Sequence, residues 1–249
     1  MSAAGIARNV ARRFGVDLVR HRKAPLDFRP DDVALLDRVR PFTMTSPERV
    51  YAAASAARYV AEAKIPGAIV ECGVWRGGSS MAMALALLAA GVDDRDLYLF
   101  DTYEGMTAPT AEDKDFRGES AQVKFEQTKT SDDASDWCAT GIDDVRTNVT
   151  STGYPIERLH LVQGKVEETL PADAPDEIAV LRLDTDWYTS TKHELVHLWP
   201  RLVTGGVCII DDYGHWEGCR QAVDEYFAEQ GITVLMNRVD ATGRTIVKP

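Results

Sequence analysis

From residue 68 onward, short apolar runs alternate with longer stretches whose apolar residues recur at helical spacing. Ala68-Ile69-Val70-Glu71-Cys72 reads as a short buried strand, 73–78 as a turn, and the Ala-, Leu- and Met-rich 79–90 as a helix. Leu97-Tyr98-Leu99-Phe100 is a second strand ending at Asp101, and 158–162 is a third. Ile178-Ala179-Val180-Leu181-Arg182-Leu183 is a fourth, ending at Asp184, with a helix over 189–199 behind it. The fifth, 206–210, ends at Asp211-Asp212 and leads into a helix over 217–230. Two β-rich runs, 232–239 and 244–247, flank Asp240-Ala241-Thr242-Gly243, a hairpin signal. Upstream, Ser46 as N-cap, Pro47 in the first turn and then Glu48 start a helix over 47–64 that stops before Pro66-Gly67.

Strands separated by helices predict parallel βαβ units, hence an α/β fold with an open sheet covered on both faces. The terminal hairpin adds an antiparallel strand. Ligands of such sheets bind at the carboxyl ends of the strands. The alternation breaks between Tyr103 and Pro155, a polar stretch of the length used for lids and binding loops. A partial helix is expected around 144–148, and the stretch as a whole as a mobile cover over the site. The chain divides into a basic, helical extension over 1–40, with a linker at 25–30, and a main domain over 41–249 with the lid insertion at 103–155.

The extension interleaves Arg8, Arg12, Arg13, Arg20, Arg22 and Lys23 with Val10, Phe14, Val16 and Leu18. It reads as an amphipathic helix and a candidate homodimer contact, and it lacks the apolar core of a secretory signal. No apolar run reaches the ~18 residues that span a bilayer. Lys+Arg of 28 against Asp+Glu of 39 leaves a net charge of −11, which argues against nucleic acid or an anionic membrane as the main partner. Cys72 and Cys208 sit in apolar runs, and they form no C-x-x-C pair with each other or with Cys138 or Cys219. Free thiols and a cytoplasmic location are expected.

Three groups of residues carry candidate chemistry. The first is Glu71-Cys72-Gly73-Val74-Trp75-Arg76-Gly77-Gly78-Ser79, a glycine turn between strand and helix where the backbone can approach a ligand and free N–H groups are presented. Its Gly-x-x-x-Gly-Gly spacing misses the dinucleotide fingerprint. Glu71 would repel a pyrophosphate and suits a cationic ligand such as S-adenosylmethionine. A tight turn with no ligand is the plain alternative. The second is Asp101, placed to accept ribose hydroxyls or simply to cap a loop. The third is Asp184-Thr185-Asp186 with Asp211-Asp212, carboxylates at two strand ends whose mutual repulsion calls for a hard cation such as Mg²⁺. His215 follows as a base or a loop histidine. His193 and His197 share a helix face without a third ligand.

Met44-Thr45-Ser46-Pro47-Glu48-Arg49, the Glu71–Ser79 turn, Asp101-Thr102-Tyr103-Glu104-Gly105-Met106, Leu183-Asp184-Thr185-Asp186-Trp187-Tyr188 and Gly205-Gly206 with Asp211-Asp212-Tyr213 resemble the macrocin O-methyltransferase family, over 43–248 and in order. The resemblance implies a Rossmann-like class I methyltransferase with a mostly parallel seven-stranded sheet, using S-adenosylmethionine and Mg²⁺ to methylate hydroxyls, often on sugars of natural products. The acceptor is a small molecule or an oligosaccharide, with a mannose oligosaccharide among those it admits. Metal ligation carries over to Asp184, Asp211 and Asp212. Cofactor contact carries over to Thr45, Glu71, Gly73, Gly77, Ser79, Asp101, Gly164 and Asp184. Asp184 is the first candidate base, with His215 and Asp186 behind it. The quoted motifs leave the first 40 residues unaccounted for, and the lid is where the family's members differ most. Rival readings are a metal-dependent glycosyltransferase using Asp184-Thr185-Asp186, a nicotinamide oxidoreductase and a non-catalytic nucleoside-binding module.

Overall fold

A computed structural model describes Arg13 and residues 24–249. The rest of the basic N-terminal stretch, and the dimer contact expected on it, lie outside the described residues. The order of elements is α1 (Pro30–Val39), α2 (Pro47–Glu62), β1 (Ala68–Cys72), α3 (Gly78–Ala89) and β2 (Leu97–Asp101). Then come α4 (Ala121–Thr128), β3 (Lys129–Ser131), β4 (Ala134–Ser135), α5 (Ile142–Thr150), β5 (Leu159–Gln163) and α6 (Val166–Thr169). The chain continues with β6 (Ile178–Leu183), α7 (Tyr188–Leu198), β7 (Leu202–Ile210), α8 (Glu217–Glu229), β8 (Asn237–Arg238) and β9 (Arg244–Val247).

Seven strands form one sheet in the order β5-β2-β1-β6-β7-β9-β8. The first five are parallel, and β9 runs antiparallel to both β7 and β8. The chain builds outward from β1 through β2 to β5, then returns to β6 on the other side of β1. That reversal is the topological switch point at which open α/β sheets bind ligands. The register sharpens this. Cys72 pairs with both Phe100 and Leu183, and Leu183 pairs with Ile210. Gly73, Asp101, Asp184 and Asp211 therefore stand at, or one step past, the same level along one edge of the sheet.

Side-chain alternation sends Val207 and Ile209 into one core and Cys208 and Ile210 into the other. The first core is closed by α2, whose Val50, Ala53, Ala54, Ala57 and Val60 follow the helical period, together with α1 and α3. The second is closed by α7 and α8. Ser46 caps α2 by accepting the Arg49 N–H at 3.1 Å. The helix ends two residues earlier than its pattern predicts, because Lys64 turns left-handed (φ 54).

Two other boundaries differ from expectation. β7 begins at Leu202 rather than 206, since Leu202 pairs with Ile178 ahead of a bulge that Gly205 accommodates at φ +80. The expected strand over 232–239 shrinks to Asn237–Arg238. Ile232, Val234 and Met236 pack on the second core without joining the ladder. The 103–155 stretch contains more structure than the one partial helix expected. Besides α5 it holds α4 and the β3–β4 hairpin, and buried Asp113 ties it to α7 by accepting the Tyr188 N–H at 2.8 Å. All four cysteines are free, and Cys72, Cys208 and Cys219 are buried. No helix among the described residues is long and apolar enough to cross a membrane.

Glu194 of α7 is buried between this helix and the β6 end. Its carboxyl accepts the Thr185 hydroxyl at 2.8 Å and lies against the buried Cys72 thiol. Burial holds the carboxyl well above the usual range. A raised folded-state pKa gives stability that is complete below the unfolded-state pKa and is lost as pH rises. Glu194→Gln is expected to raise Tm by a few degrees at about pH 8 and hardly at all at about pH 4. Thermal unfolding at the two pH values checks this, and an equal shift at both would contradict it.

Candidate active site

The strand ends enclose a cavity of about 220 Å³, lined by the glycine turn, by 42–45 before α2, by Asp101 and by the carboxylates after β6 and β7. A smaller lobe of about 70 Å³ shares Gly73, Asp101, Gly105, Met106 and Asp184, and extends along 164–167 after β5. Asp101 stands at the wall between them. Its Oδ2 accepts the N–H groups of Val74 (2.6 Å) and Trp75 (3.0 Å), and its Oδ1 accepts that of Tyr103 (2.7 Å). The carboxylate thus fixes the shape of the turn as well as facing the cavity.

The glycines are required by close packing. A Cβ on Gly73 (φ +82) would lie 2.0 Å from the Asp184 carbonyl oxygen, and one on Gly78 would lie 2.5 Å from that of Phe42. Gly77 precedes α3 at φ +86 and does not line the cavity, whereas Ser79 and Thr45 do. Gly164 lines the smaller lobe at φ +139 and donates its N–H to the Asp101 carbonyl at 3.0 Å.

The carboxylates are organised by two arginines that sequence reading missed. Arg182, buried in β6, places Nη1 2.7 Å from both Glu71 and Asp184, and Nη2 2.7 Å from Asp211. Burial opposes its charge, and Asp184, Asp211 and Glu71 outweigh that. Arg49 of α2 pairs with the other Asp211 oxygen and, at 3.1 Å, with Asp240. Both Asp211 oxygens are therefore engaged, and Thr45 adds its hydroxyl at 3.3 Å. Glu71 lies beneath the turn, bonded to Arg182 and Ser80, rather than in the cavity wall.

Asp184, Asp186 and Asp212 each offer an oxygen within 4.8 Å of the others. Asp184 and Asp212 are held well above the usual carboxylate range, mainly by burial and then by neighbouring carboxylates. Burial, and then Asp184, push Asp186 up to about 7, while hydrogen bonds with Asp212 and Trp216 oppose the rise. Asp186 also has a left-handed backbone at φ 71, a conformation common at functional sites. Oxygen-only donors with surplus negative charge fit a hard divalent cation. Asp184 and Asp212 belong both to this group and to the ligand set expected from sequence. Asp211 stands outside this trio, with each of its oxygens bonded to an arginine.

His215 lies outside the main cavity, against the rings of Phe116 and Trp216. Burial lowers its pKa despite Asp115 nearby. His193 and His197 have ring centres 4.4 Å apart, tilted at 57°, and the only metal-capable group among the described residues is the aspartate trio. One signal for Arg182 was legible, a lone charge inside an apolar strand, which demands buried partners. Arg49 carried no such signal.

A family model described as Macrocin-O-methyltransferase (TylF) matches residues 22–247. Over 179 residues the chain is 35% identical to an 8-demethyl-8-(2,3-dimethoxy-alpha-L-rhamnosyl)-tetracenomycin-C 4'-O-methyltransferase of Streptomyces olivaceus. Over the same length it is 32% identical to a demethyldecarbamoylnovobiocin O-methyltransferase of Streptomyces niveus. Each match covers 72% of this chain and 65% of the relative, so the chain spans just under two thirds of those proteins. Among solved structures, the O-methyltransferase NovP superposes with a TM-score of 0.72 at 29% identity, covering 83% of this chain and 82% of that one.

Proposed function

We propose, from the premise that this chain belongs to the macrocin O-methyltransferase family, that it transfers a methyl group from S-adenosylmethionine to a hydroxyl of a sugar or glycosylated acceptor. The observation that carries this reading is the two-lobed cleft at the sheet's switch point, with the aspartate trio on the wall of its larger lobe. The smaller lobe at 164–167 suits the base of a nucleoside and Asp101 its ribose. The turn from Gly73 to Ser79, with Thr45 opposite, suits the methionine end.

Asp184 and Asp212, with Asp211 as the third, would hold Mg²⁺, which leaves Asp186 free of the ion. When bound, that ion supplies charge that lowers an acceptor hydroxyl pKa. Asp186 is the base we favour over Asp184 and His215. Asp184 is committed to Arg182, and His215 faces another groove. Asp186 faces the cavity, is oriented by Trp216 and, among the described residues, has no arginine bound to it, so it is free to take a proton from a hydroxyl held beside it. It takes the hydroxyl proton as the oxygen attacks the methyl carbon, leaving S-adenosylhomocysteine. The 103–155 stretch, anchored through Asp113, shields the acceptor from water.

The test is transfer of labelled methyl from S-adenosylmethionine to glycosides with vicinal hydroxyls, mannose oligosaccharides included, with Mg²⁺ or with a chelator. Mg²⁺-dependent labelling of a sugar is expected. Labelling unaffected by the chelator would remove the metal role, and no labelling of any glycoside would remove the sugar acceptor.

A further inference from the structure

A second groove, of about 540 Å³, runs outside the reaction cavity between α4, the 115–119 turn and the start of α8. Its floor is aromatic and apolar, formed by Trp137, Trp216 and Ala121. Its rim carries Asp115, Glu119, Lys124, Gln127 and His215. Val123, 62% exposed, lines it as well, and Phe116, 57% exposed, stands beside it.

The groove and the reaction cavity share a wall. Trp137 adjoins Cys138, which lines the cavity, and Trp216 donates to Asp186, which lines it too. The wall is built to hold its shape. Trp137, Trp187 and Trp216 pack edge to face at 5.1–6.2 Å, and the Trp187 indole N–H is fixed on the Thr107 carbonyl at 3.1 Å. Asp115 bridges to the Trp216 backbone. Such a preformed surface binds without first paying to order its side chains.

We propose that this groove is a second saccharide subsite, holding a sugar ring linked to the one that is methylated. This rests on the methyltransferase reading above. A pyranose presents C–H groups on its faces and hydroxyls around its edge, which matches an aromatic floor inside a rim of carboxylates, amide and imidazole. A wholly apolar group would strip water from the Glu119 and Gln127 side chains and give them no partner. A nucleic acid or an anionic lipid would meet Asp115 and Glu119. Lys124, whose Nζ lies 4.1 Å from the Trp137 ring centre, is a long exposed chain that a sugar ring displaces toward its hydroxyls.

The experiment compares matched mono- and trisaccharides of mannose and of glucose on the full chain with Mg²⁺. Tryptophan fluorescence gives Kd in S-adenosylhomocysteine, and labelled S-adenosylmethionine gives kcat and KM. At least one trisaccharide is expected to bind about tenfold more tightly than its monosaccharide, a gain of the size aromatic stacking provides. Trp137→Ala should erase the gain in affinity while leaving S-adenosylmethionine binding unchanged. Glu119→Ala, at an exposed rim position, should reduce the gain without the risk of disturbing the tryptophan cluster. Equal affinity within every pair, absence of sugar binding while S-adenosylmethionine binds, or a gain that survives both variants overturns the subsite alone. Absence of S-adenosylmethionine binding overturns the methyltransferase reading and the subsite with it.

Discussion

Asp184→Asn is expected to lower Mg²⁺-dependent methyl transfer by at least about 100-fold, the scale on which loss of a group that activates the nucleophile acts. Asp184 has the most crowded position in the site. It lines both lobes, pairs with Arg182 at 2.7 Å and belongs to the aspartate trio. Asparagine keeps its shape and can still accept from Arg182, so the fold should survive. What is lost is charge at the centre of the carboxylate group. Steady-state rates across a Mg²⁺ titration, with circular dichroism as a control for folding, separate the two effects. Full turnover at ordinary Mg²⁺ would remove Asp184 from the reaction as ligand and as base. Asp186→Asn, read the same way, should lower kcat while leaving S-adenosylmethionine affinity intact.

Arg182→Met should have the largest effect on stability, a loss of about 3–5 kcal/mol, typical of removing one partner from a buried ionic group. Without the guanidinium, Glu71, Asp184 and Asp211 face one another in a buried space. The folded-state pKa values of Glu71 and Asp184, already raised by burial, must then rise further, so stability is lost as pH increases from their unfolded values. The gap in Tm between variant and parent should be about 10 °C near neutral pH and should narrow toward pH 5. Differential scanning calorimetry at several pH values checks this. A Tm within a degree of the parent's at pH 7 would mean that the three carboxylates are not held by Arg182.

Much of the architecture follows from short-range pattern. Each parallel strand is an apolar run ended by glycine or a polar residue, and in-register pairing of these runs sets Gly73, Asp101, Asp184 and Asp211 side by side. The candidate site was legible because its residues are the first ones past the strands. What was not legible depends on side-chain direction across long separations. Asp211 turns to Arg49, 162 positions away, and Glu71 turns down to Arg182, 111 positions away. Nothing near either acid in the chain announces its partner. His215 sits beside Asp212 in sequence, yet the turn into α8 carries it to the outer groove. α4 was missed because its only fully buried anchors are Ala121 and Phe125, too few for a helical period to stand out. The run from Ile232 was read as strand because it alternates, but alternation does not reveal whether a neighbouring strand is there to pair with.

The central claim is that the two-lobed cleft holds S-adenosylmethionine. Calorimetric titration of this ligand into the full chain, with and without Mg²⁺ and with NAD as control, tests it most directly. One equivalent of S-adenosylmethionine should bind in either condition, with no heat from NAD. Saturable NAD binding, or no binding of S-adenosylmethionine with or without the metal, would contradict the account.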